Sequence, residues 1–249
     1  MRFALHQLRG EQRLFWRSRE LAFFTFLLPI LFFVLLGSVY GDDEIEGIDG
    51  SKYLLAGLLG YGIAATTFAG LAIVLVIRRE EGILKRLRAT PLPPWAYFAG
   101  IIGSTLVVYA LEVVALLVLG RLMFDVPFPS RVFSLVVSLL LGALAFAAMG
   151  LAVTALVRSA EGSSAAVNAI YLPMSFISGS FFSPHSFPRF LEAIADVLPL
   201  TYFIRLVRDV MLRGHEIWNE GTSVAVVAAW GLAAVIAAVR GFRWEPREG

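Results

Sequence analysis

Residues 78–97 read RREEGILKRLRATPLPPWAY: five basic residues, two acidic residues and three prolines, set between two long runs that carry almost no charge. Those runs, 53–77 and 96–120, each exceed the about 20 apolar residues that a helix needs to cross the hydrocarbon core of a bilayer. The stretch therefore reads as a loop between two spans. The same alternation continues in both directions along the 249 residues, of which 58% are hydrophobic and 16% charged. Globular chains carry roughly a quarter charged residues, and the mean hydropathy here is +0.77. This composition predicts an all-α membrane protein with no room for a sizeable soluble domain.

Hydropathy divides the chain into six candidate spans: 21–40, 53–77, 96–120, 132–157, 165–182 and 223–239. An even number puts both termini on one side. Lys and Arg set that side, because positively charged loops stay cytoplasmic. Fourteen of the 21 fall at the two termini, in 78–97 and at Arg158, whereas the first loop on the other side is acidic, with Asp42, Asp43, Glu44, Glu46 and Asp49. Both termini and the loop 78–97 are thus expected in the cytoplasm. The domain division expected is an interfacial helix at 1–20, a six-span membrane domain at 21–240 and a cytoplasmic tail at 241–249.

Inside 78–97, Ile83, Leu84 and Leu87 share one side of a short helix, and Glu81 and Lys85 are spaced for an ion pair of about 0.2–0.5 kcal/mol. Thr90 precedes Pro91 and is biased out of helical geometry, so the helix stops there. Pro93 and Pro94 block a restart, and Trp95 and Tyr97 are expected as interfacial anchors of the next span. A mixed-charge helix with an apolar edge suits docking to a cytoplasmic partner; a solvated loop obeying the positive-inside rule would look similar.

Two other segments are amphipathic. Leu5, Leu8, Gln12, Phe15 and Trp16 form a stripe among the N-terminal arginines, which suits a helix in the headgroup plane on membrane lipid; a disordered basic tail is the alternative. Residues 184–214 hold two stripes, Phe190, Leu191, Ile194, Val197 and Leu198, then Tyr202, Phe203, Leu206, Val207, Val210 and Met211. Arg205, Arg208, Asp209 and Arg213 fall opposite the second stripe. A pair of short outer helices is expected, either lidding the spans or packing against them. The fifth span is interrupted by Asn168, Ser175, Ser178 and Ser180 and should kink at Pro173; its polar residues should face the bundle or a partner subunit.

Several chemistries are excluded. Cysteine is absent, three histidines are scattered, and neither Lys52 nor Lys85 follows a glycine, so thiolate metal sites and a P-loop lysine are missing. Basic residues are spread over several loops, which excludes nucleic acid as a natural partner. No catalytic residue and no cofactor site is predicted. Glu112 stands midway along the third span, where an isolated charge costs about 2.5–3.5 kcal/mol. It must be neutral, paired or facing water. Glu112, Asn168, Ser175 and Ser178 make up a candidate substrate path. Glu112 would equally serve an ion- or proton-coupled carrier, or be a buried structural glutamate. A membrane-embedded lipid enzyme is a third reading, weakened because no histidine lies in a span to activate Ser178 or Ser180.

RREEGILKRLRATPLPPWAYFAG resembles the coupling loop of ABC-2 type transporter permeases, and ISGSFFSPHSFP with LPLTYFIRLVRD resembles that family's fifth span and outer helices. The resemblance implies the membrane half of an ABC exporter in a bacterial inner membrane. Two such subunits, identical or different, would pair and engage ATP-binding subunits that carry ATP and Mg. Glu80, Glu81, Gly82, Leu84, Lys85, Arg86, Leu87, Arg88, Thr90 and Pro91 would form the contact, with Gly82 allowing close approach and Leu84 and Leu87 inserting. Arg79 replaces an acidic residue often found before the Glu-Gly pair, and no role is assigned to it. The cargo implied is a hydrophobic or amphipathic drug, lipid or lipid-linked glycan, moved by alternating access.

Overall fold

Long apolar segments in a bilayer must satisfy their backbone hydrogen bonds internally, and helices follow. The computed structural model describes residues 2–41, 43–157 and 159–245; Asp42 and Arg158, named above for loop charge, and residues 246–249 of the expected tail lie outside them. An N-terminal helix α1 (Arg2–Arg17) is followed by α2 (Arg19–Tyr40). A two-residue β1 (Glu44–Ile45) pairs antiparallel with β2 (Ile48–Asp49) through a turn in which Glu46 and Gly47 both have positive φ, the twist-matched hairpin geometry. α3 (Gly50–Gly62), a π-helical segment (Ile63–Gly70) and α4 (Leu71–Glu80) then run on as a single 31-residue helix.

After the short α5 (Ile83–Arg88) come α6 (Pro94–Phe124), α7 (Val132–Val153) and α8 (Ala160–Ile177). α9 (Arg189–Ala195), α10 (Pro199–Leu212) and α11 (Gly221–Gly241) complete the chain. Among the described residues five helices are long and apolar enough to cross a membrane: α2, α3–α4, α6, α7 and α11. α8 occupies the place of the expected fifth span but is not one of these five. Glu161, Ser163, Ser164 and Asn168 dilute its apolar content. It begins five residues before that span and ends at Ile177, leaving Ser178 and Ser180 beyond the helix, and it runs through Pro173.

α3–α4 is the axis of the bundle, with α2, α6, α7, α8 and α10 packed around it. In lipid, helices associate through close van der Waals fit rather than hydrophobic exclusion, which favours small residues at contacts. Here a Cβ on Gly57 would run into the backbone of Ser180, and one on Gly150 into the backbone of Phe68. α7 lies along α11, where Gly231 abuts Ala145.

Two expectations change. α10 does not lie over the surface: Leu200, Phe203, Leu206, Val207 and Val210 have no exposed surface, because the helix sinks between α3, α7 and α11. Arg208, expected on its solvent face, is buried with them. α1 is helical, but its protein-facing side is partly polar. The Gln12 amide donates to the Ser104 carbonyl (2.9 Å) and hydroxyl (2.8 Å) on α6, and Leu5 and Trp16 of the stripe are exposed on the outside of the helix.

Candidate functional site

The loop 78–97 turns on Gly82. Its φ of +70° ends α4 and restarts the chain as α5, a left-handed conformation that costs an ordinary residue roughly 1–2 kcal/mol. No described atom of the chain stands within 4 Å of where a Cβ would be, so within this chain it is the left-handed backbone that calls for glycine. The break also places Glu81 outside α5, and among the described residues no ion pair joins it to Lys85. The Thr90 hydroxyl donates to the Leu87 carbonyl (2.7 Å) and closes the helix.

α5 presents two faces. Glu81, Lys85, Arg86, Arg88, Thr90 and Pro91 are exposed. Leu84 is completely buried against Leu71, Leu75, Tyr97, Ile101 and Ala147, with Leu87 packed alongside. In this conformation Leu84 cannot insert into a partner, because the chain's own core already holds it. Tyr97 is likewise turned inward at 1% exposure instead of sitting at an interface, while Trp95 is exposed. Phe98, Phe242 and Trp244 close this cluster with ring centroids 5.1–5.6 Å apart.

The root of α5 is held by two adjacent arginines that point apart. Arg78 donates from both terminal nitrogens to Glu11 on α1 (2.7 Å each) and from one of them to the Tyr97 hydroxyl (3.2 Å). Arg79, only 1% exposed, donates to Glu80 (2.8 Å), the Thr154 carbonyl (2.8 Å) and the Val157 carbonyl (2.7 Å). Thr154 caps the C-terminus of α7, where carbonyls lack intrahelical donors and the helix dipole favours a cation. Arg79 thus fastens α4 to the far end of α7, and Glu80, expected at a partner contact, is half-buried as its counter-ion.

Beside this root lies a cavity of about 400 Å³, within the roughly 300–1,000 Å³ usual for small-molecule sites. Its walls come from α1 (Glu11, Phe15), α2 (Phe24, Leu28), the π segment (Ala65, Thr66), α4 (Ile73, Arg78) and α6 (Ser104, Glu112), with Tyr61 of α3 and Tyr171 of α8. Glu112 is 2% exposed and accepts a hydrogen bond from the Thr66 hydroxyl (3.0 Å). The close approach of Gly62 leaves room for its carboxylate.

The other members of the expected substrate path lie elsewhere. Asn168 is half-buried and its amide donates to Ser164 on its own helix (3.4 Å). Ser175 and Ser178 are buried at the C-terminal end of α8, where their hydroxyls have no hydrogen-bond partner among the described residues. Ser178 lines a separate small cavity of about 30 Å³ with Glu46, Thr201 and Arg208, a polar space of water size. There Arg208 lies 3.7 Å over the Tyr53 ring and 3.3 Å from the Glu46 carboxylate, which also accepts from Ser183. Glu11, Thr66, Tyr61 and Tyr171 were not anticipated. Glu11 carried a signal in being an acid amid N-terminal arginines, and Thr66 in being a hydroxyl in an apolar run; neither signal names a partner.

Residues 6–212 match the family described as ABC-2 type transporter. The chain is similar to the probable multidrug ABC transporter permease YbhR of Escherichia coli (strain K12), at 23% identity over 185 residues covering 72% of this chain and 50% of that protein. It is 23% identical to the inner membrane transport permease YadH of the same organism over 70% of this chain and 68% of that one. It is 25% identical to the daunorubicin resistance ABC transporter permease protein DrrB1 of Streptomyces coeruleorubidus over 85% of this chain and 75% of that one. The chain thus spans about half the length of YbhR. Because the matched region runs from within α1 to the end of α10 and includes α5, its arginine root and every wall of the larger cavity, the chain belongs to the ABC-2 type transporter family.

Proposed function

We propose that the chain is the membrane-spanning permease subunit of an ATP-driven exporter in a bacterial inner membrane. In this reading α8 completes six spans, both termini are cytoplasmic, and two such subunits pair. ATP and Mg reside on a separate ATP-binding subunit that docks on the exposed face of α5. The cargo is a hydrophobic or amphipathic molecule, in keeping with relatives named for multidrug and daunorubicin resistance. The observation that carries the reading is the construction of α5: an exposed charged face on a helix whose base is bonded through Arg78 to α1 and α6 and through Arg79 to α7. Displacing α5 by ATP-driven closure of its partner would move three elements of the bundle together. Spans linked in this way suit alternating access, in which a ligand bound elsewhere biases two states.

The test is co-purification with the ATP-binding subunit and substrate-stimulated hydrolysis in proteoliposomes. Glu81→Arg and Arg86→Glu should each weaken both, and retention of both would refute docking through α5. An ion- or proton-coupled carrier built on Glu112 is the second reading, favoured by the placement of that carboxylate in the large cavity. It requires transport driven by a proton or ion gradient in the absence of ATP. The lipid-enzyme reading gains nothing from Ser178, whose hydroxyl has no base bonded to it among the described residues.

A further inference from the structure

The larger cavity holds three charged side chains among its described lining residues: Glu11, Arg78 and Glu112. Glu11 and Arg78 neutralise each other through two parallel 2.7 Å bonds. Among the described residues Glu112 has no ion-pair partner, and its hydrogen-bond partner is the Thr66 hydroxyl. A buried carboxylate held by one hydroxyl is poorly compensated, since buried charges are normally paired as well as hydrogen-bonded. Apart from Thr25, Ser104 and Thr105, whose hydroxyls are already hydrogen-bonded, the remaining wall is apolar and aromatic, with Phe15, Phe24, Tyr61 and Tyr171, and aromatic faces attract cations. At the mouth, Leu14, Leu21, Phe24 and Leu28 are all exposed hydrophobics.

We infer that this cavity is a binding site for lipophilic organic monocations, in which Glu112 is the counter-ion and the aromatic wall takes the apolar body. Charge complementarity selects the ligand. A cation supplies the counter-ion that lets Glu112 ionise in this buried place, whereas a neutral molecule leaves the carboxyl protonated and an anion supplies no counter-charge. The volume of about 400 Å³ admits a drug-sized body. The paired Glu11 and Arg78 at the α5 end add no net charge, so one positive charge suffices. This inference rests on reading the chain as a permease, but binding itself requires neither ATP nor the ATP-binding subunit.

The experiment measures equilibrium binding of tetraphenylphosphonium and tetraphenylborate, which share a shape and differ in the sign of charge, to the purified full chain in lipid nanodiscs without nucleotide. Saturable binding of the cation, with the anion roughly tenfold or more weaker, is expected, a gap of about 1.4 kcal/mol or more. Glu112→Gln should reduce cation affinity by roughly the same factor, and Glu112→Asp should retain the preference for the cation. If Glu112→Gln does not fold, Leu28→Trp, which fills the mouth and leaves the carboxylate in place, should block the cation instead. Equal affinity for the two ions, an unchanged affinity in folded Glu112→Gln, or an unobstructed Leu28→Trp would overturn the site. A failed binding experiment leaves co-purification and coupled hydrolysis untouched, whereas loss of those two with cation binding intact would overturn the exporter reading alone.

Discussion

Arg78 and Arg79 are chemically identical neighbours with different partners. Successive side chains on a helix point about 100° apart, so one faces α1 and α6 and the other the end of α7. The Arg78–Glu11 pair is bidentate and largely buried, with side-chain exposures of 16% and 7%. Breaking such a pair from one side strands a charge and costs about 3–5 kcal/mol, whereas removing both partners is close to neutral. Glu11→Gln alone is therefore expected to destabilise strongly and Glu11→Gln with Arg78→Gln much less. Reversible unfolding in mixed micelles would measure the cycle, and additive losses would show that the pair is not coupled. None of this was legible beforehand, because the positive-inside rule treats every loop arginine as solvated. Glu11 lies 67 residues from Arg78, and Thr154 lies 75 from Arg79.

At the scale of elements, α5 was readable and its orientation was not. Proline and threonine chemistry ends the helix where expected, since those effects act on adjacent residues. Its inward face depends on α4, α6 and the aromatic C-terminal segment, and so Leu84 turned from an expected contact residue into a core residue. Gly82 gives a test at this scale. Gly82→Ala should cost about 1 kcal/mol through its left-handed backbone, and Gly82→Asn less, because Asn tolerates that region. Both substitutions have open space around Cβ. If α5 transmits motion, coupled hydrolysis in proteoliposomes should follow the same order, and equal activity of the two variants would contradict a conformational role. The π-helical segment is a second element that hydropathy passes over. It supplies Ala65 and Thr66 to the cavity wall, and such wide turns recur at functional sites.

For the whole molecule, hydropathy located the helices that are apolar along their full length and was ambiguous at α8. The reason is physical: mean hydropathy counts polar residues without regard to the side they face. Ser163 and Ser175 of α8 are buried within the bundle, where polarity carries a smaller penalty than against lipid. The six-span arrangement predicts opposite sides for the β-hairpin and α5. As the chain has no cysteine, single cysteines at Asp43 and Arg88 can be labelled cleanly. An impermeant thiol reagent should reach Asp43→Cys from the periplasmic side and Arg88→Cys only after the membrane is opened, and labelling of both from one side would overturn the arrangement.

The amino-acid sequence alone determined the membrane class, the helical segments, the polar loop with its break before Pro91, and the resemblance to a transporter family. Each follows from composition or from residues within one or two turns of one another, where backbone hydrogen bonding and steric limits are local. Tertiary structure alone decided which charges are buried and paired, that Leu84 and Arg208 face inward, and that Glu112 lies in a cavity apart from Ser175 and Ser178. Those outcomes depend on close packing between helices far apart in the chain, where a small residue such as Gly62 or Gly150 sets the distance and no local rule specifies the neighbour.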